Sequence, residues 1–205
     1  MPFPAKQVFF ADYVFNVPEN VYVPAEDSFL FAENLAVERG DYVLDIGTGC
    51  GILGIVAATN AAKVVAVDIN PHAIRCAKEN AKLNNMIDKL LLIQGDLLSA
   101  LRTEERFDLI LFNAPYLPAS HTKDGSWLER AWAGGKNGRQ VIDRFICQLP
   151  DHMMPDGRIL LLQSTLSNLN RTVESFNDGG LKSRIIASQN LPFFESIALI
   201  EARHS

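Results

Sequence analysis

Between residues 42 and 112, four short apolar runs alternate with segments of helical pattern, and this alternation restricts the fold more than any other feature. Tyr42 to Ile46, Lys63 to Asp68, Leu90 to Ile93 and Phe107 to Phe112 read as buried strands. Ile52 to Thr59 reads as a helix, and Asn70 as an N-cap with Pro71 at the first helical position, opening a helix through about Leu83. Continuous apolar strands separated by helices require a parallel sheet covered on both faces. A loop from Asn113 to about Asn137 follows, then a helix to Leu149, a Pro155-Asp156-Gly157 turn and a fifth strand, Arg158 to Leu162. Ser167 to Asn177 reads as a helix stopped by Gly179-Gly180. Two closing strands, Ser183 to Ala187 and Ser196 to Glu201, predict an antiparallel hairpin at one edge. Residues 1–40, with Pro18, Pro24 and a helix from Glu26 to Glu38, read as an extension packed on a single catalytic domain of residues 41–205.

Composition removes several alternatives. With 205 residues the chain should bury about 70% of its unfolded surface without disulfide or metal staples. Lys and Arg number 19 against 24 Asp and Glu, a net charge of −5, which disfavours duplex nucleic acid as a partner. Cys50, Cys76 and Cys147 form no CxxC pair and lie far from the four histidines, so no metal site is expected and reduced thiols fit a cytoplasmic location. Met1-Pro2-Phe3-Pro4-Ala5-Lys6 does not read as a signal peptide, and the longest apolar stretch, Gly51 to Ala58, is too short to span a bilayer.

The chemistry concentrates where the strands end. Asp45-Ile46-Gly47-Thr48-Gly49-Cys50-Gly51 closes the first strand and opens a helix; glycines there let a ligand approach the main chain. Asp68 ends the second strand, where a carboxylate can accept both hydroxyls of a ribose. Two cofactors fit this outline. The string Gly49 to Gly54 matches the dinucleotide pattern GxGxxG, with Asp68 about twenty residues later. S-adenosylmethionine is the other, and Asp45 favours it: a carboxylate before the glycines repels a pyrophosphate and attracts the cationic amino end of a methionine moiety. Asp96, after the third strand, can accept from an adenine amine while the Leu97 N–H donates to the ring; its plainer role is a helix cap.

Asn113-Ala114-Pro115-Tyr116 leaves the fourth strand at the same edge. Pro115 pushes Ala114 toward extended backbone, so the Ala114 carbonyl projects outward. The Asn113 side-chain oxygen is a second acceptor, and Tyr116 offers a flat face for stacking. Two converging acceptors suit an NH₂ group. Holding both of its hydrogens favours a pyramidal nitrogen and aims the lone pair at a methyl donor, so positioning replaces a strong base.

From about Val21 onward the chain resembles the class I, S-adenosylmethionine-dependent methyltransferases of the HemK type, in particular the short archaeal and eukaryotic branch. The likeness is carried by Tyr22 to Ser28, the glycine turn, Asn113 to Tyr116, and Ala131-Trp132-Ala133-Gly134-Gly135-Lys136-Asn137-Gly138-Arg139. It implies a Rossmann-like α/β fold with a mostly parallel seven-stranded sheet of order 3-2-1-4-5-7-6, the last strand antiparallel. It implies methylation of the glutamine amide in the Gly-Gly-Gln loop of a class I peptide release factor. The cofactor residues it implies are Ser28, Asp45, Gly47, Gly49, Asp68, Asp96, Leu97 and Asn113. The substrate glutamine would be held by Asn113, Ala114, Pro115 and Tyr116. The family pattern is Asn-Pro-Pro-Tyr; here Ala114 keeps the carbonyl but not proline's rigidity. Gly134, Gly135 and Gly138 either permit an awkward turn or admit the backbone of the substrate loop.

The implied strand order puts Leu90-Leu91-Leu92-Ile93 at a sheet edge, an apolar edge that needs covering. The resemblance implies a small zinc-binding activator subunit there, added as further strands. The rival functions are methylation of an exocyclic adenine amine, for which the tetrapeptide chemistry is the same, and a dehydrogenase or non-catalytic cofactor-binding subunit.

Overall fold

A computed structural model describes residues 5–119 and 125–204. The reading of the N-terminal residues 1–4, and part of the long loop at 120–124, lie outside them. The chain runs β1 (Lys6–Phe10), β2 (Tyr13–Val17), α1 (Glu26–Glu33), β3 (Tyr42–Ile46), α2 (Ile52–Ala57), β4 (Lys63–Asp68), α3 (Pro71–Leu83), β5 (Leu90–Gln94), β6 (Phe107–Asn113), α4 (Trp127–Arg130), α5 (Gln140–Gln148), β7 (Met153–Ser164), α6 (Leu169–Asp178), β8 (Leu181–Asn190) and β9 (Ser196–His204). Seven strands form one sheet in the order β5-β4-β3-β6-β7-β9-β8. Counted from β3, this is the expected 3-2-1-4-5-7-6. β9 is antiparallel to both β7 and β8, so the closing hairpin folds back into the sheet and leaves β8 at the edge.

The central strands are apolar on both faces because both faces are covered. Val43, Val64, Leu109 and Leu160 point to one side, where they meet Leu30 and Phe31 of α1, Ile55 of α2 and Ala73 of α3. Their sequence neighbours Leu44, Val65, Ile110 and Ile159 point to the other side, against Ile142 and Phe145 of α5 and Phe176 of α6. Asn70 caps α3 as the sequence suggests: its side chain accepts from the His72 N–H at 2.9 Å, with Pro71 next to it.

Several boundaries depart from the sequence reading. The β1–β2 hairpin has no strong local signal. It is docked on α3 by two asparagines: Asn80 Oδ1 accepts from the Asn16 N–H at 2.9 Å and Asn84 Oδ1 from the Val14 N–H at 3.0 Å. α1 stops at Glu33 rather than Glu38, because the Asn34 amide folds back on the Leu30 carbonyl at 2.8 Å. Pro155-Asp156-Gly157 does not separate a turn from a strand; it is a bulge inside β7, between the pairs Phe107–Met153 and Leu109–Arg158. β8 and β9 are both longer than expected, and α4 lies inside the segment read as loop.

Candidate active site

Parallel strands end together at one rim, and backbone groups freed there make the binding edge of such sheets. A cavity of about 700 Å³ opens at this rim. Its wall brings together Ser28 from α1, Gly47 and Gly49 after β3, Asp68 at the end of β4, Asp96 and Leu97 after β5, and Asn113, Ala114, Pro115 and Tyr116 after β6. These residues come from five separate stretches of the sequence.

Asp45 stands apart from them. Its side chain turns in beneath the glycines and does not line the cavity. Oδ2 accepts from the Thr48 hydroxyl at 2.6 Å and from the Gly54 N–H at 3.0 Å, while Oδ1 is buried with no partner. Burial lifts this carboxyl to about 6, against the Thr48 and Gly54 bonds that pull it down. Asp45 therefore ties the turn to the start of α2. Gly47, Gly49 and Gly51 all have positive φ, which explains why glycine recurs there.

Asp68 is set for its part by the backbone. Its two oxygens accept from the Gly49 N–H at 2.9 Å and the Asn70 N–H at 2.8 Å. Each oxygen retains capacity for a further hydrogen bond, and Asp68 lines the cavity. Asp96 does not cap the short turn that follows; its carboxylate pairs with Arg144 at 2.6 Å. Leu97 adopts φ of +52°, a conformation that costs a non-glycine residue energy and marks positions held for a purpose.

Asn113 carries the most informative contact. Its Nδ2 donates to Asp27 Oδ2 at 2.9 Å, and its Oδ1 is buried without a partner. A carboxylate only accepts, so Asp27 fixes which way the amide points. Asp27 also takes the Ser28 N–H at 2.7 Å and the Tyr22 hydroxyl at 3.3 Å. Burial and the Asp27 charge raise the Tyr116 phenol well above its usual range, so it stays protonated. The sequence alone does not single out Asp27 as a site residue. The signal was its place beside Ser28 in the Tyr22–Ser28 stretch, but its partner lies 86 residues away.

The Ala131–Arg139 motif has a structural explanation. The Leu117 N–H donates to the Trp132 carbonyl and the Gly134 N–H to the Leu117 carbonyl, both at 2.9 Å. A Cβ at Gly134 would lie 2.6 Å from the Pro115 carbonyl oxygen, and one at Gly138 would overlap the Tyr116 carbonyl. Among the described residues Gly134 and Gly138 are required by the chain's own backbone. Arg139 is buried, bonded to Asp143, Thr172 and the Ser167 and Asn168 carbonyls, and anchors the loop to α6. Trp127, Arg130 and Trp132 close the cavity on this side.

A doubly covered sheet with one antiparallel strand threaded between β7 and β8, and a cavity at its glycine rim, defines a class I methyltransferase. The family model of ribosomal protein L11 methyltransferase matches residues 28–114. A chain of Methanocaldococcus jannaschii named as a protein N5-glutamine methyltransferase is 42% identical over 87% of this chain and 90% of its own length. Methyltransferase HEMK2 of Homo sapiens is 33% identical over 83% of this chain and 84% of its own. The structure of the E. cuniculi Mtq2–Trm112 complex, described as responsible for methylating the eRF1 translation termination factor, has a TM-score of 0.69 at 25% identity and covers 91% of this chain and 99% of that one. The chain belongs to the HemK-type family of S-adenosylmethionine-dependent glutamine methyltransferases.

Proposed function

We propose that this protein methylates the side-chain amide nitrogen of a glutamine in a class I peptide release factor. The observation that carries the proposal is the unpartnered, buried oxygen of Asn113, held in one orientation by Asp27 at the cavity wall. A buried acceptor without a donor costs free energy, and an incoming NH₂ group repays that cost on binding.

The cavity suits S-adenosylmethionine. Asp68 would accept from the ribose hydroxyls, Gly47 and Gly49 would line the methionine part, and Asp96 with the Leu97 N–H would take the adenine. Ser28 would complete the donor end. Bound there, the cofactor supplies an electrophilic methyl group on a sulfonium. Asn113 Oδ1 and the Ala114 carbonyl would accept the two amide hydrogens and orient the nitrogen, Pro115 keeping Ala114 extended. Tyr116 would stack on the planar amide and, being protonated, would not act as a base. No strong base is needed, because the proton is lost only once the nitrogen carries a positive charge.

A small activator subunit, zinc-binding as the family resemblance implies, would cover β5. Among the described residues this edge strand pairs with β4 alone, and Leu91 on it is 44% exposed. Sizing chromatography of the chain with and without that subunit tests this point, and a monomer in both runs would end it.

The deciding experiment is mass spectrometry of a release factor incubated with the chain and S-adenosylmethionine. A methyl group on the glutamine of the Gly-Gly-Gln loop, absent with Asn113→Ala, is the expected result. Methylation of RNA or DNA adenine, with none on the protein, overturns it.

A further inference from the structure

The loop between β8 and β9 presents two consecutive phenylalanines to solvent. Phe193 is 96% exposed and Phe194 fully so. Both sit at positive φ, +63° and +61°, where a bulky side chain is disfavoured. No core contact is gained in exchange for this conformation. The loop is nevertheless well anchored: the Leu191 N–H donates to the Glu195 carbonyl at 2.8 Å, and the Ser196 N–H to the Thr165 hydroxyl at 3.1 Å.

Its position in the sheet is informative. Ser164, the last residue of β7, pairs with Ile197, so the start of antiparallel β9 lies at the rim where β6 releases Asn113 to Tyr116. Leu191 and Tyr116 pack against the same core face. Leu166, 51% exposed, follows Thr165, the residue to which the loop is bonded. The charges of Asp27, Glu195 and Glu26 all act to raise the Tyr116 phenol, so the rim on this side is acidic.

We infer that Phe193 and Phe194 form a docking tip for the protein substrate, gripping an apolar patch outside the segment whose glutamine enters the cavity. The inference rests on the proposed function and adds a second point of contact to it. Exposed aromatic rings are the residue type that anchors protein interfaces, and these two stand on the same rim of the sheet as the acceptor segment. The acidic groups around Tyr116 repel phosphate and favour a polypeptide carrying basic residues near the acceptor glutamine. A cavity that grips one side chain gives little discrimination by itself, and a remote anchor supplies the remainder.

The test replaces both rings with asparagine, a residue that tolerates positive φ, so the loop keeps its shape. Methyl transfer is followed on the intact release factor and on a short peptide spanning its Gly-Gly-Gln loop. With Phe193→Asn/Phe194→Asn, KM for the intact protein should rise about tenfold or more while kcat stays within about twofold. KM for the peptide should not change, and the melting temperature should match the parent. Equal KM for the intact protein in parent and variant overturns the docking tip and leaves the proposed function standing. No transfer to the release factor by the parent chain, alone or with the activator subunit, overturns both. A parent that elutes as a dimer, and a variant that elutes as a monomer, assigns the rings to self-association and overturns the docking tip.

Discussion

Asp27 Oδ2 accepts a hydrogen bond from Asn113 Nδ2 at 2.9 Å, and that single contact decides which end of the Asn113 amide faces the cavity. An amide reversed at this point would set its oxygen against the carboxylate, acceptor against acceptor, and turn its NH₂ group toward the cavity. The acidic residue at the start of α1 is thus a positioning group for a side chain at the end of β6.

Asp27→Asn tests this relation. The replacement has the same shape but no longer forces the Asn113 orientation. The expected kcat is lower by about 100-fold, with KM for the cofactor near the parent value. Methyl-transfer assays at saturating substrate give the first quantity, and calorimetric titration supports the second. A kcat within about twofold of the parent would remove Asp27 from the site.

Asp45 predicts a pH effect of unusual sign. Its carboxyl is raised to about 6 in the folded chain, above the ordinary carboxylate value of about 3.9. Between these values the folded state holds the proton more firmly than the unfolded state, so this group's contribution to stability falls as pH rises from about 4 to about 6 and is level above. Asp45→Asn should remove that slope. Denaturant titrations of parent and variant across this interval measure the difference, and parallel pH profiles would contradict it. Glu201 acts oppositely. Its carboxyl is held below the usual range by Arg184 and Arg203, despite the desolvation that opposes this, so its contribution is lost on acidification. The comparison between parent and variant cancels that background.

Gly138→Ala should damage the acceptor segment more than the fold. The added Cβ would overlap the Tyr116 carbonyl, at a φ of +72° that alanine resists. Overpacking of this kind costs about 1–3 kcal/mol. The melting temperature should drop by several degrees, transfer should fall by much more, and cofactor affinity should hold.

Ala114→Pro restores the family tetrapeptide. The Ala114 N–H donates to the Leu162 carbonyl at 3.3 Å, a bond that proline lacks. Losing it costs about 1 kcal/mol, and the stiffer unfolded chain returns about 0.4–1 kcal/mol. Stability should therefore change by less than about 1 kcal/mol with activity retained. Chemical denaturation and a transfer assay together check it.

Much of the fold was legible because it is written locally. The apolar runs at 42–46, 63–68 and 107–112, the Asn70-Pro71 cap and the glycine turn each declare themselves within a few residues. What escaped depends on distant partners. The bulge at Pro155-Asp156-Gly157 reads as a turn until Met153 is seen to pair with Phe107. The β1–β2 hairpin is stable because Asn80 and Asn84, more than sixty residues away, take its N–H groups. In the site, residue types and edge placement could be read directly, but the side to which a carboxylate turns could not. Asp45 and Asp27 are both acids next to apparent ligand residues; one faces Thr48 and Gly54, the other Asn113.

Loops ordinarily absorb added or deleted residues without harm. The stretch from Trp132 to Gly138 is different, because it is stitched by main-chain bonds to Leu117 and leaves no room for a methyl group above the Pro115 and Tyr116 carbonyls. A change of length by even one residue there would shift the outer wall out of step with the acceptor segment. That short run is accordingly the least editable part of the surface, and any redesign of substrate preference must begin elsewhere.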